Sequence, residues 1–273
     1  MIHPTAIIDS RAAIDPSVEV GPFSVIDAGV SLEAGCVVGP GVHITGQTHV
    51  GRENRFHAGC VIGEGPQDLR FKGGPTRLVI GHANIFREHV TVHRSNSLEE
   101  DTVIGSHNFF MANSHVGHNV AVGDHVIVAN GALIAGHAIL GDRAFISGNC
   151  LIHQFVRVGC LALMQGGSAI SKDLPPFTIS RGINGTCGLN IIGLRRAGVS
   201  PKERLELRRA YRLLQRGVGG VTMRQRLDLI EAECAGDSVK ALVEFVRKSR
   251  RGVCLHAPGT VRSESSIGDA DQG

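Results

Sequence analysis

At 273 residues the chain is long enough for a substantial core and one or two domains. Thirty-six glycines, one tyrosine and no tryptophan argue against a conventional β-sandwich, and a net charge of +3 is too mild to argue by itself for a nucleic-acid partner. No stretch approaches about eighteen uninterrupted apolar residues and no basic-then-apolar leader follows Met1, so neither a membrane span nor a signal peptide is expected; seven cysteines without a C-x-x-C pair point to reduced thiols in a cytoplasmic protein.

The first predicted element begins at once, with no segment expected before it. Large apolar residues fall at every sixth position: Ile2, Ile8, Ile14, Val20, Ile26, Leu32, Val38, Ile44, Val50, Phe56 and Ile62. Two positions before each sits a smaller partner, as with Ala6, Ala12, Val18, Ser24 and Cys36. A helix would show a period of about 3.6 and a simple strand about 2, so a period of six excludes both. It predicts a parallel β-helix in which each hexad gives a short strand and a corner, and three hexads close a triangular coil of about eighteen residues.

The period breaks at residues 64–78, EGPQDLRFKGGPTRL, an excursion that must leave at a corner. Asp68 and Arg70 are its polar candidates, with a plain solvated loop as the alternative. It resumes at Ile80, Phe86 and Val92, breaks again at 94–102 (RSNSLEEDT) just after His93, and then runs without a miss from Ile104 to Ile170.

That last run places the histidines. Residues about eighteen apart stack on successive coils at roughly 4.8 Å. His118 therefore lies one coil below Gly136 and His137, which lie one coil below His153 and Gln154, with His115 beside His118. All four histidines avoid the inward positions. They are either decoration of a solenoid rim or a site. As a site, His118 or His115 could act as general base and the Gly136 N–H could donate to a developing oxyanion. With no G-x-S-x-G and no cysteine beside a base, direct transfer is favoured over a covalent intermediate. The rival is three imidazoles completing a zinc tetrahedron with water.

Pro175 and Pro176 end the repeat, since neither can donate to a ladder. Phe177–Thr186 reads as a linking segment, giving a β-helical domain over 1–186. A helical domain over 187–255 follows. Leu189, Ile192 and Leu194 open it, and Ser200-Pro201-Lys202-Glu203 supplies an N-cap, a first-position proline and a capping-box glutamate. Leu205, Leu207, Tyr211, Leu213 and Leu214 form the apolar face of that helix, and Arg204, Arg208, Arg209, Arg212 and Arg216 the basic one. Two more helices are predicted, near 222–235 and 238–250, and the polar tail 256–273 reads as disordered.

The hexad repeat, the loop GEGPQDLRFKGGPTR, VTVHR, NSHVGHNVAVGDHVIVANGALIAGH, LIHQF, KDLPPF and LNIIGLRRAG together resemble the UDP-N-acetylglucosamine O-acyltransferases that open lipid A synthesis, over roughly residues 3–255. The hexads alone are shared with many acyl and acetyl transferases; the ordered set of motifs is specific. The resemblance implies a left-handed solenoid, a cytoplasmic homotrimer with sites between subunits, and no metal or resident cofactor. It also implies transfer of an (R)-3-hydroxyacyl chain from the 4'-phosphopantetheine thioester of acyl carrier protein to the 3-hydroxyl of UDP-N-acetylglucosamine. His118 would be the base and the Gly136 amide the oxyanion donor. His115, His137 and Gln154 would contact substrate, Asp68 and Arg70 the sugar and diphosphate, and His153 the acyl or pantetheine path. Asn190 and Arg196 would reach the uridine and phosphates, and Gly166 would floor the acyl groove. The arginine-rich helix suits an acidic carrier protein.

Three departures stand out. Asn119 follows the base where a carboxylate is expected, Arg70 replaces a common lysine, and GINGTCGLN is one residue short. An asparagine oxygen can orient an imidazole but cannot offset an imidazolium charge. Competing readings are the related N-acyltransferase, which should carry a domain before its β-helix, an acetyltransferase, a zinc-dependent hydratase and a non-enzymatic solenoid.

Overall fold

The computed structural model describes residues 1–215 and 221–255. Short strands, mostly of two residues, stack into three sheets that are parallel but for one strand at the end of the third. The first holds nine strands beginning at Ile7–Ile8, the second eight beginning at Ala13–Ile14, and the third ten beginning at Glu19–Val20. The chain visits the sheets in that order on every coil, so the register advances by eighteen, as in Ile7↔Val25 and Ile8↔Ile26. The hexad period produces this directly, because one large residue per strand points inward while its partner two positions earlier fills the corner. Both sets are buried, from Val18 and Val20 to Ala162 and Met164. Phe56, Phe86 and Phe110 stack with centroids 4.9 Å apart, the strand spacing itself. Each such buried ring contributes roughly 1.5–3 kcal/mol.

Where the small partner is asparagine, the amides form an internal ladder. Asn54 Oδ1 accepts from the backbone N–H of Asn84, Asn84 Oδ1 from that of Asn108, and Asn108 Oδ1 from that of Val126. Stacking coils thus give each carboxamide oxygen of the ladder a donor at the period of the fold, while Asn108 Nδ2 is left without a partner.

Both breaks leave the solenoid between the first and second sheets. Val61–Glu64 and Arg77–Ile80 bracket the first, and Thr91–His93 and Thr102–Ile104 the second. Register records them as Val61↔Thr91 and Thr91↔His115, steps of 30 and 24 instead of 18. The first leaves through a bulge at Gly63, φ +83°, where a Cβ would meet Thr45 O at 2.2 Å. Only glycine fits there.

After the prolines the structure differs from the expected linker. Thr178–Arg181 resumes pairing with Leu163–Met164 and turns antiparallel onto Gly185–Leu189. The antiparallel return has no hexad period, which is why the segment reads as irregular. Four helices follow among the described residues: α1 Ile191–Arg196, α2 Pro201–Gln215, α3 Met223–Glu233 and α4 Asp237–Arg247. Leu207, Ala210, Leu213, Leu214, Leu227, Ile230, Leu242 and Val246 form their common core with Phe177.

Leu205 and Ile192 are exposed, against expectation, since the packed stripe of α2 runs through Leu207, Ala210 and Leu214 and that of α1 through Leu194. Ser200 caps α2 at the Glu203 N–H as read, but the Glu203 carboxylate turns away to accept from Ser238 at the start of α4. Arg216 and the tail 256–273 lie outside the described residues. Asp173, buried at the end of the solenoid, joins the two parts. It accepts from Arg157 N and Nε at 2.9 and 3.0 Å, while Arg157 Nη2 reaches Phe245 O of α4 at 2.7 Å. No helix among the described residues is long and apolar enough to cross a membrane.

Candidate active site

All the predicted histidines lie on one corner, between the first and second sheets, where both excursions also leave. His115 is on the strand His115–Val116, and His118, Gly136, His137, His153 and Gln154 occupy that corner on three successive coils. A cleft of about 630 Å³ opens beside it. Its lining includes His93, His115, His118, Gly136, His153 and Gln154, with Gln67 from the first loop. Its floor is the outer face of the first sheet, through Leu133, Leu151 and Ala169. These follow His115 at steps of eighteen, and that spacing is the signal that could have found them.

His118 is held from behind. Its Nδ1 lies 2.9 Å from Asn119 Oδ1, which also accepts the backbone N–H of Asn96 at 3.0 Å. Asn119 Nδ2 donates to Ser95 Oγ at 2.7 Å, and the Asn119 N–H to Thr102 Oγ1 at 2.7 Å. Asn119 takes a positive φ of 56°, which asparagine tolerates better than most residues. The Gly136 N–H has no acceptor among the described residues, so it is free to donate into the cleft.

The surrounding imidazoles pack edge to face: His118 on His137 at 5.1 Å and His115 on His93 at 4.9 Å. His137 also stacks on Phe155 at 4.6 Å. Burial pushes His115 down to about 4, with His93 and His118 adding to the shift, so its ring is neutral at pH 7; its Nδ1 pairs with Thr91 Oγ1 at 2.8 Å. Burial lowers His93 and His137 as well, and the buried Nδ1 of His93 has no partner. Among the described residues no three His, Cys, Asp or Glu side chains are placed to hold a metal ion.

Asp68 reaches this corner through the two loops. It pairs with Arg70 Nε at 3.2 Å and accepts Asn96 Nδ2 at 3.0 Å. The Arg70 guanidinium, first among several donors, holds the Asp68 carboxyl far below the usual carboxylate range. Three predicted residues are not brought to the corner. Asn190 caps α1 through Gly193 N and donates to Leu161 O, between the second and third sheets, and Arg196 ends that helix exposed. Gly166 lies between the third and first sheets, where a Cβ built on it would fall 3.5 Å from Gly148 O.

Comparison with known proteins decides the family. The chain is 40% identical over 259 residues to the acyl-[acyl-carrier-protein]–UDP-N-acetylglucosamine O-acyltransferase of Paraburkholderia phymatum, covering 92% of this chain and 98% of that one. The protein belongs to the UDP-N-acetylglucosamine O-acyltransferase family. The enzyme of the same name from Halorhodospira halophila is 41% identical, with 92% and 98% covered. Residues 173–254 match the family described as UDP N-acetylglucosamine O-acyltransferase, domain 2, and residues 101–136 match the bacterial transferase hexapeptide. Two solved relatives superpose closely. The UDP-N-acetylglucosamine acyltransferase of Francisella novicida gives a TM-score of 0.89 at 32% identity, with 95% of both chains covered. The Acinetobacter baumannii structure gives 0.87 at 37%, covering 92% and 98%. The solenoid is accordingly the left-handed parallel β-helix of this acyltransferase family.

Proposed function

We propose that this acyltransferase moves an (R)-3-hydroxyacyl chain from acyl carrier protein to the 3-hydroxyl of UDP-N-acetylglucosamine, the first step of lipid A biosynthesis. One observation carries the mechanism. The His118 ring, engaged through Nδ1, lies against Gly136 one coil on, whose N–H is free. A base and an oxyanion donor thus meet at one point. His118 Nε2 takes the hydroxyl proton as the sugar oxygen attacks the thioester carbonyl. The Gly136 N–H receives the negative charge that forms there, a contact worth about 2.7–4 kcal/mol in comparable sites. Collapse expels the pantetheine thiolate, which recovers the proton from the imidazolium. The 4'-phosphopantetheine thioester is a co-substrate, and no cofactor or metal takes part.

The acyl chain lies across the first sheet over Leu133 and Leu151. Its far end is directed toward the opposite corner, which holds Gly148 and Gly166. His115, His137 and Gln154 contact the substrates, His153 the acyl or pantetheine path, and Asp68 and Arg70 the sugar and diphosphate. Asn190 and Arg196 sit on another corner of the same chain, so they serve this cleft only from a neighbouring subunit. That supports a homotrimer, with the exposed Ile127 and Ile139 on the other two faces available for packing. Arg208, Arg209 and Arg212 of α2 face solvent and suit an acidic carrier protein in the cytoplasm. Mass spectrometry of the product from mixed acyl-carrier proteins and UDP-N-acetylglucosamine tests the reading, which predicts one O-linked 3-hydroxyacyl group. An N-acylated product, or none, would overturn it.

A further inference from the structure

Asn96 touches two functional parts of the site with two different atoms. Its side-chain Nδ2 donates to Asp68 Oδ2 at 3.0 Å, and its backbone N–H donates to Asn119 Oδ1 at 3.0 Å. The second contact fixes which way the Asn119 carboxamide points beside the base. A backbone N–H can only donate, so the atom of Asn119 facing it must be the carboxamide oxygen. The opposite end agrees, since Ser95 Oγ already gives its proton to Ser97 O and is left to accept Asn119 Nδ2. The same oxygen faces His118 Nδ1, which must therefore carry the ring proton, leaving the Nε2 lone pair toward Gly136.

We infer that Asn96 is a positioning residue that, through the Asn119 carboxamide, holds His118 in its Nδ1–H tautomer and ties it to the acceptor-binding Asp68. The inference deepens the acyltransferase reading and rests on it for the roles of His118 and Asp68, while the tautomer itself does not depend on it. Because Asn119 is neutral, it orients the imidazole without supplying the counter-charge that a carboxylate would. The other ionisable groups around the ring are His93, His115 and His137, with Asp68, Arg70 and Glu100 beside His137.

Three measurements on the full-length protein test it. Nitrogen-15 NMR of labelled histidines, with His118→Ala for assignment, should show the Nδ1–H tautomer at pH 8; an Nε2–H ring would overturn the assignment. Asn119→Asp should move the acid limb of kcat/KM up by about one pH unit, because an opposite charge favours the imidazolium. A superimposable profile would show that the side chain at position 119 does not act on the ring and would sink the positioning role. Asn96→Ala keeps the backbone N–H but loses the Asp68 contact. It should raise KM for UDP-N-acetylglucosamine about tenfold with the acid limb unmoved, and an unchanged KM would remove Asn96 from the tie. The tautomer is read without turnover, so absence of acyl transfer would count against the functional reading alone.

Discussion

The His118 ring packs so closely on Gly136 that a Cβ built there falls 2.7 Å from both Nε2 and Cε1. The backbone at 136 does not need a positive φ, so alanine fits the corner itself and the ring must give way. Gly136→Ala should therefore leave the melting temperature within a few degrees of the parent while lowering kcat by about 10²-fold or more, since the base is displaced from its proton. Paired thermal unfolding and steady-state kinetics check this. A variant with normal turnover would show that the base does not work from this position.

His118→Ala removes the base without touching the inward ladder. Turnover should fall by about 10²–10⁴-fold with folding intact. If ring and amide act on one transition state, the double variant with Gly136→Ala should be little worse than His118→Ala alone. Fully multiplicative losses in single-turnover assays would mean that the two act independently.

The solenoid is legible because its inward residues repeat without a miss from Ile2 to Ile62 and from Ile104 to Ile170, and the corner of histidines because eighteen-residue spacing converts directly into stacking. The rest depended on information that the period does not carry. Asn190 and Gly166 were grouped with His118 by motif, yet helix capping against Leu161 puts Asn190 on a second corner and the count from Met164 puts Gly166 on a third. The hairpin after Pro176 carries no such signal, because an antiparallel return obeys no hexad. Gln67 has no charge to single it out beside Asp68 and Arg70. Leu133 and Leu151 read as ordinary strand residues until the cleft showed that they floor it.

His115 makes stability depend on pH. Its folded value, about 4, is below the ordinary 6.5, so between those limits the unfolded chain binds more protons than the native one. Stability is then fully present above about 6.5 and declines as pH falls toward 4, by roughly 3 kcal/mol as an upper bound. His115→Asn should flatten this slope, though not wholly, because burial depresses His93 in the same direction. Denaturant midpoints measured from pH 7 to 4 at fixed protomer concentration test it. Equal slopes in parent and variant would show that His115 does not carry the effect.

Asp173 holds the last coil and the helical region together from a buried position. Replacing it with alanine strips the Arg157 N–H of its acceptor and the guanidinium of its counter-charge, leaving that group only Phe245 O and the Phe245 ring at 4.3 Å. Breaking a buried pair by removing one partner costs about 3–5 kcal/mol, and the lower end applies because Arg157 still reaches water. Asp173→Asn keeps an oxygen for the Arg157 N–H and should recover part of the loss. The cost should show as a lower denaturant midpoint and as earlier proteolysis within 190–250, since Arg157, which ties α4 to the solenoid through Phe245 O, is no longer held in place. If Asp173→Ala resisted denaturant and protease like the parent, the helical region would have to be held by its apolar contacts with Cys160 and Leu161 instead.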